Sequence, residues 1–168
     1  MNAGAYGGEM SQVVSTVTVV NRNGEIMELD NGTMEFGYRT SVIQNQPFVV
    51  TKVTFRLEQG DPEQIAEKMA DLAKRRREKQ PLEYPSAGST FKRPEGYFAG
   101  ALIEKNGLKG LTVGGAQVSE KHAGFVINRG GATAADVKAL IGKIQKKVFE
   151  NDGVMLEPEV IFKGRNGD

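Results

Sequence analysis

Pro85-Ser86-Ala87-Gly88-Ser89-Thr90-Phe91-Lys92-Arg93-Pro94 is the stretch on which the reading of this chain turns. Two prolines bracket small, conformationally permissive residues, hydroxyl groups and a cationic pair, a composition that presents side chains at a loop instead of filling a core. Residues before it read as one structural unit and residues after it as another, and ligand sites form readily at such seams. Pro81 to Pro85, just ahead of it, stops a helix and reads as a linker. Two domains are therefore expected, at residues 1–80 and 81–168.

Upstream of the seam, Asp61-Pro62-Glu63-Gln64 combines an N-cap acceptor, proline at the first helical position and glutamine at the third, a strong helix start. Ile65, Met69, Leu72 and Ala73 recur at helical spacing, which predicts one apolar face packed on a sheet. The far end, Lys74-Arg75-Arg76-Arg77-Glu78-Lys79, is basic. Cations favour a helix C-terminus and no aromatic residues interleave for base stacking, so no nucleic-acid partner is expected.

Val13 to Val20 alternates in a β-rich run, Asn21-Arg22-Asn23-Gly24 has turn chemistry, and Glu25 to Leu29 resumes the alternation, predicting a β-hairpin. Gly37-Tyr38-Arg39-Thr40-Ser41 leads into Val42-Ile43 as a strand entrance, and Phe48 to Leu57 alternates again. A sheet of at least three strands follows. Met1 to Glu9 is dense in small residues; it suits either close approach to a phosphate or flat group, or an unstructured start.

Downstream, Tyr97 to Glu104 reads as a short helix ending at Asn106-Gly107. Val113 to Val118 and Phe125 to Asn128 read as short strands. Thr133-Ala134-Ala135-Asp136 is a capping box for a helix through Val148, with Val137, Leu140, Ile141, Ile144 and Val148 as its apolar stripe. Val154 to Phe162 reads as a last strand, with Pro158 marking an edge or a bulge. The fold class is α+β: mostly antiparallel strands with a helix, then a small α/β domain.

Composition narrows the function. The 168 residues include 39% apolar and 26% charged, ordinary for a globular protein, and a formal charge of +1 creates no global field toward nucleic acid or anionic membrane. Without cysteine and with one histidine, no metal site is expected. No apolar run is long enough to span a bilayer and the N-terminus has no signal-peptide pattern, so the expected location is cytoplasmic, with no membrane partner.

Read from the residues alone, the candidate chemistry stays open. Ser89 has no triad partner nearby in sequence; it either serves its own turn or joins a hydrolytic triad if the fold brings His122 to it. Arg39 can clamp a carboxylate or sit solvated at the surface. Glu157 and Glu159 flank Pro158 and, by the two-residue period, share one side of a strand, needing a partner if buried. His122 is an ordinary polar contact, a base or a ligand, and the lack of a second histidine or cysteine weighs against a metal.

Taken together these segments resemble one family. Asn2-Ala3-Gly4-Ala5-Tyr6-Gly7, Tyr38-Arg39-Thr40-Ser41, Pro85 to Pro94, Lys121-His122-Ala123-Gly124-Phe125-Val126-Ile127-Asn128 and Leu156-Glu157-Pro158-Glu159-Val160 are similar, in order, to bacterial UDP-N-acetylenolpyruvoylglucosamine reductases. The resemblance implies an oxidoreductase of peptidoglycan synthesis in which NADPH reduces FAD and the flavin reduces the enolpyruvyl ether of UDP-N-acetylglucosamine enolpyruvate to UDP-N-acetylmuramate. It implies catalytic Arg39, Ser89 and Glu159, with Arg39 and Glu159 on the substrate carboxylate and Ser89 as proton donor to carbon. It further implies substrate contacts from Tyr38, Lys92, Arg93 and His122, and cofactor contacts from Asn2, Ala3, Gly4, Ala5, Tyr6 and Gly7. Arg93 departs from the asparagine found there in some relatives, and the chain resembles the shorter kind without a tyrosine-bearing loop after the arginine motif.

The family carries a substantial flavin-binding region ahead of the Asn2 motif. The expectation is therefore a fragment: residues 1–80 as the latter part of the FAD-binding domain, 81–168 as the substrate-binding domain, and most of the FAD site missing. Such a chain should be inactive alone and expose sheet surface that invites self-association. The competing functions are a non-enzymatic module that binds nucleotide-sugars or other anions, and an interaction or scaffold domain.

Overall fold

A computed structural model describes residues 1–164; the last four residues of the expected second domain lie outside them. The chain divides into two compact units, Met1–Leu72 and Ala73 onward. Among the described residues the strand pairings are antiparallel and the sheets are accompanied by helices, giving the expected α+β class.

In the first unit, β1 (Gly4–Ala5) and β2 (Gly8–Glu9) form a small hairpin, followed by a 3-10 turn at Met10–Gln12. β3 (Val14–Val20) and β4 (Ile26–Asp30) form the predicted hairpin. Its turn is held by Asn21, whose Oδ1 accepts from the N–H groups of Asn23 (2.9 Å) and Glu25 (3.0 Å). α1 (Val42–Asn45) stands where the valine and isoleucine suggested a strand. The Val42 N–H donates to the Met34 carbonyl at 2.9 Å, and Val42 and Ile43 pack on Val14, Val17, Val19, Leu29 and Met34. Tertiary packing here outweighs β propensity.

β5 (Val49–Phe55) completes the sheet in the order β4-β3-β5. Its residues pair with the buried face of β3, Val53 opposite Val17 and Val50 opposite Val19, yet all seven are exposed. α2 (Pro62–Lys79) begins as predicted, with Asp61 Oδ1 accepting from Glu63 (2.8 Å) and Gln64 (3.1 Å). The expected burial of its apolar face is wrong for this chain: no residue of α2 is buried, and Ile65 and Met69 are 48% and 66% exposed. The periodicity is present, but nothing among the described residues covers it.

The second unit holds β6 (Ser86–Ser89), α3 (Ala99–Lys105), β7 (Thr112–Val113), β8 (Ala116–Val118), β9 (Phe125–Asn128) and α4 (Ala134–Asp152). The sheet runs β6-β9-β8-β7. β7 and β8 are a hairpin, where one strand was expected. α4 starts on the predicted capping box, Thr133 Oγ1 accepting from Asp136 (3.1 Å) and Asp136 Oδ2 from Thr133 (2.8 Å), and runs past Val148 to Asp152. Leu140, Ile141, Ile144 and Val148 are all buried, against Leu102, Ile103, Val118 and Leu156. Each contributes about 1.5–3 kcal/mol of burial. The α3 and α4 ends are tied by Asp152, which accepts from Lys105 and from Asn106 Nδ2 at 2.6 Å.

The expected last strand reduces to one bridge, Pro158 opposite Phe91. Proline has no N–H for a ladder, so pairing passes to its neighbours. Lys92 N–H donates to the Glu157 carbonyl and Glu159 N–H to the Thr90 carbonyl, both at 2.8 Å.

Candidate functional site

Expected site residues fall into two groups, one in each unit. In the first unit the Asn2 motif and the arginine motif meet. Asn2 is buried; its Nδ2 donates to Glu9 Oε2 (3.0 Å) and its Oδ1 accepts from Ser11 N–H (2.9 Å), which ties the chain start to the hairpin. Tyr6 and Gly7 form the hairpin tip with φ of 51° and 83°, and Tyr6 is exposed. The segment is thus an ordered turn.

Arg39 does not stand at a strand entrance. It lies in a tight turn in which the Gly37 and Thr40 N–H groups each donate to the other's carbonyl (3.2 and 3.3 Å). Its φ of 56° is left-handed, a strained backbone for arginine of the kind that clusters at functional positions. Arg39 Nη1 donates to the Gly4 carbonyl at 3.4 Å, and the guanidinium lies 5.7 Å from the Tyr38 ring centroid. Next to it Ser41 is fully buried, its Oγ 3.4 Å from the Met1 ammonium. A groove of about 880 Å³ in the same unit is lined by Ser11, Asp30, Asn31 and Arg56 and holds none of the expected site residues.

The second unit gathers the rest. The seam stretch, expected as a loop, enters the sheet as β6, and the register slips by one residue between Ser86 opposite Ile127 and Ser89 opposite Phe125. Gly88, at φ 84°, makes that bulge possible, and bulges re-aim the side chains beside them. Ser89 is exposed and lines a cleft of about 440 Å³ with Arg76, Gln80, Tyr84 and Phe125.

Thr90, next to it, is a residue that sequence reasoning missed. It is buried, its Oγ1 accepts from Val126 N–H (3.0 Å), and its carbonyl accepts from Glu159 N–H (2.8 Å). Thr90 therefore fixes the segment of Ser89 against that of Glu159. No local signal marks it, since one threonine in a hydroxyl-rich turn looks like any other.

Lys92 Nζ pairs with the Glu157 carboxylate, beside the Lys92–Glu157 backbone bond. The Arg93 guanidinium lies over the Phe98 ring at 4.0 Å, with Nε donating to the Tyr97 carbonyl at 3.3 Å. Glu159 is half-buried. Of the two glutamates expected in one strand, Glu157 is in an ion pair with Lys92, and Glu159 is tied to Thr90 through its backbone N–H.

His122 sits in a turn of its own. Its N–H and that of Lys121 donate to Ser119 Oγ (3.2 and 3.1 Å), and its Nδ1 accepts from Gly124 N–H (3.0 Å). That bond fixes the tautomer with the proton on Nε2. The ring meets Phe125 edge to face at 4.9 Å. Burial holds its pKa below the usual histidine value, with Lys109 acting in the same direction.

The basic end of α2 is partly occupied. Arg76 Nε donates to Gln80 Oε1 (3.1 Å), and Lys121 Nζ donates to the Arg77 carbonyl (2.8 Å). Among the described residues no helix is long and apolar enough to cross a membrane.

Comparison with known proteins bears on the family and the fold. Residues 80–163 match the family model of the UDP-N-acetylenolpyruvoylglucosamine reductase C-terminal domain. A UDP-N-acetylenolpyruvoylglucosamine reductase of Clostridium perfringens (strain SM101 / Type A) is 55% identical over 166 residues, 99% of this chain and 55% of that protein. One of Caldanaerobacter subterraneus subsp. tengcongensis is 56% identical over 164 residues, 98% of this chain and 54% of that protein. The crystal structure of UDP-N-acetylenolpyruvylglucosamine reductase (MurB) from Thermus caldophilus superposes with a TM-score of 0.80 at 37% identity, over 95% of this chain and 57% of that one. The chain spans about half the length of the curated relatives it matches. Its sequence, its fold and the match over its second unit place it in the UDP-N-acetylenolpyruvoylglucosamine reductase family of oxidoreductases.

Proposed function

We propose that this chain supplies the substrate-handling part of an FAD- and NADPH-dependent reductase that converts UDP-N-acetylglucosamine enolpyruvate to UDP-N-acetylmuramate in the cytoplasm, for peptidoglycan synthesis. The observation that carries the reading is the 2.8 Å bond from Glu159 N–H to the Thr90 carbonyl, which sets the proposed proton donor and the proposed carboxyl partner on adjoining segments. Residues 81–168 are proposed as the substrate domain and residues 1–80 as the latter part of the flavin domain.

The hairpin Gly4–Glu9 fits close approach of a flat cofactor: Gly7 is at its tip, and nothing lies within 4 Å of where a Cβ there would stand. Asn2 to Gly7 would border FAD there, and FAD reduced by NADPH would supply the hydride. Hydride added to the terminal methylene carbon of the enolpyruvyl ether leaves negative charge on the adjacent carbon, delocalised into the substrate carboxylate. Arg39 and Glu159 hold that carboxylate and stabilise the charge. The Ser89 hydroxyl then gives its proton to that carbon; the carbanion is basic enough to take it without an activating base, which explains why no triad is needed. Tyr38, Lys92, Arg93 and His122 complete the contacts to the nucleotide-sugar.

The test uses the chain extended with the upstream part of its relatives. Ser89→Ala should leave flavin reduction by NADPH intact and slow flavin reoxidation by substrate by about 10²–10⁴-fold. Equal slowing of both half-reactions would refute the assignment. The non-enzymatic alternative, an anion-binding module, predicts instead a thermal shift with UDP-sugar and no flavin chemistry in the extended protein.

A further inference from the structure

α3 begins on an aromatic residue where a helix start favours a polar one. Phe98 occupies its N-cap, the Phe98 carbonyl accepting from Leu102 N–H at 3.1 Å, and the side chain makes no cap hydrogen bond. Serine, threonine, asparagine or aspartate would serve the helix better there. Nor does the ring join the core: Ala99, Leu102 and Ile103 of α3 are buried, whereas Phe98 is 62% exposed. Its ring lies instead against Arg93, whose guanidinium carbon is 4.0 Å from the ring centroid.

The same turn holds Arg93 from a second side. Tyr97 N–H donates to the Pro94 carbonyl at 3.1 Å, with Gly96 at φ 74° between them, and Arg93 Nε donates to the Tyr97 carbonyl at 3.3 Å. A guanidinium fixed at Nε and on one face loses much of the rotamer freedom of a long exposed side chain before any ligand arrives. Its terminal nitrogens form the fork that matches a phosphate, and a fork ordered in advance lowers the cost of binding. The reading above places Arg93 on the nucleotide-sugar and gives the substrate carboxylate to Arg39 and Glu159. The diphosphate is then the anion left for Arg93.

We propose that Phe98 is a positioning residue for substrate binding: its ring holds the Arg93 guanidinium in the orientation that takes the diphosphate of the nucleotide-sugar. A weaker cap on α3 accompanies this role, the kind of local inconsistency expected at a functional position. The inference rests on the reading above for the identity of the anion, and not on the chemical role of Ser89.

The test uses the flavin-loaded protein extended with the upstream part of its relatives. Phe98→Leu removes the ring face, and Phe98→Ser removes it while supplying a cap acceptor. Each should raise the Kd for UDP, read by calorimetry, and the KM for the nucleotide-sugar by about two- to fivefold, with kcat unchanged. Phe98→Tyr keeps the ring and should match the parent. Phe98→Ser should melt at the same temperature as the parent or higher, so that affinity falls without stability, which a purely structural role for the ring does not allow. Arg93→Ala should weaken UDP binding, and adding Phe98→Leu to it should weaken binding no further. Phe149→Leu, at an aromatic residue 50% exposed on α4, should change neither constant.

The proposal is overturned if Phe98→Leu binds UDP as tightly as the parent, if Phe98→Tyr loses as much as Phe98→Leu, or if kcat falls along with affinity. It is equally overturned if Phe98→Ser loses stability and affinity together, or if Phe98→Leu weakens binding as much in Arg93→Ala as in the parent. Should Arg93→Ala itself bind UDP normally, the reading of Arg93 as a substrate contact fails and the proposal with it. The UDP titration needs no flavin chemistry, so the Ser89 assignment and this one can fail separately.

Discussion

Two kinds of side chain share the loops of the second unit, those that build the backbone and those left facing the cleft. Thr90, Ser119 and Asn128 belong to the first kind; their side-chain oxygens accept backbone N–H groups, Asn128 Oδ1 from Gly130 at 2.8 Å and Ala132 at 3.1 Å. Ser89 belongs to the second. His122 is the instructive intermediate, because its Nδ1 is spent on Gly124 N–H and a protonated ring would lose that acceptor. With its folded pKa depressed by burial, the unfolded chain binds the proton more tightly than the folded one, so stability rises with pH. The contribution is complete above the ordinary value of 6.5 and is lost as pH falls below it. Urea unfolding across this range should show the loss in the parent and a flatter profile in His122→Asn, whose amide oxygen can accept from Gly124 at any pH.

Among the elements, α2 and α4 make the clearest contrast. Both are long, both start with a well-formed cap and both carry an apolar stripe. α4 buries its stripe and α2 leaves its own in solvent. Met69→Lys should therefore change the stability of this chain by no more than about 0.5 kcal/mol. A loss of several times that size in thermal or urea unfolding would mean that the face is covered in solution. β6 teaches a different lesson: its proline and glycine punctuation reads as loop, yet a single-residue bulge at Gly88 lets it pair with β9 and still present Ser89. Local composition marks where the backbone departs from regularity, and pairing across 36 residues, as between Thr90 and Val126, decides what it becomes.

On the scale of the molecule, the second unit has a closed core and the first does not. Among the described residues fourteen buried side chains form one cluster in the second unit, against five in the first, and the exposed apolar surface lies on β5 and α2. If most of the flavin site lies in the upstream part of the relatives, this chain should purify colourless and fail to oxidise NADPH, while the extended protein should be yellow. Flavin absorbance and an NADPH oxidation assay on both forms check this, and a yellow, active 168-residue protein would refute it.

Much was legible in the order of residues. The β3–β4 hairpin, the starts of α2 and α4 and the stripe of α4 are encoded within a few residues of one another, by turn chemistry, caps and periodicity, and the five separated motifs carried the family. The sequence did not reveal Thr90 as the link between Ser89 and Glu159, the left-handed turn of Arg39, the ion pair that engages Glu157, or the absence of a cover on α2. Each of these depends on which distant segment arrives alongside, and periodicity states only that a face is apolar. Ser89 shows the division most plainly: its small neighbours allow it to be presented, and the pairing of Thr90 with Val126 and Glu159 decides what it is presented beside.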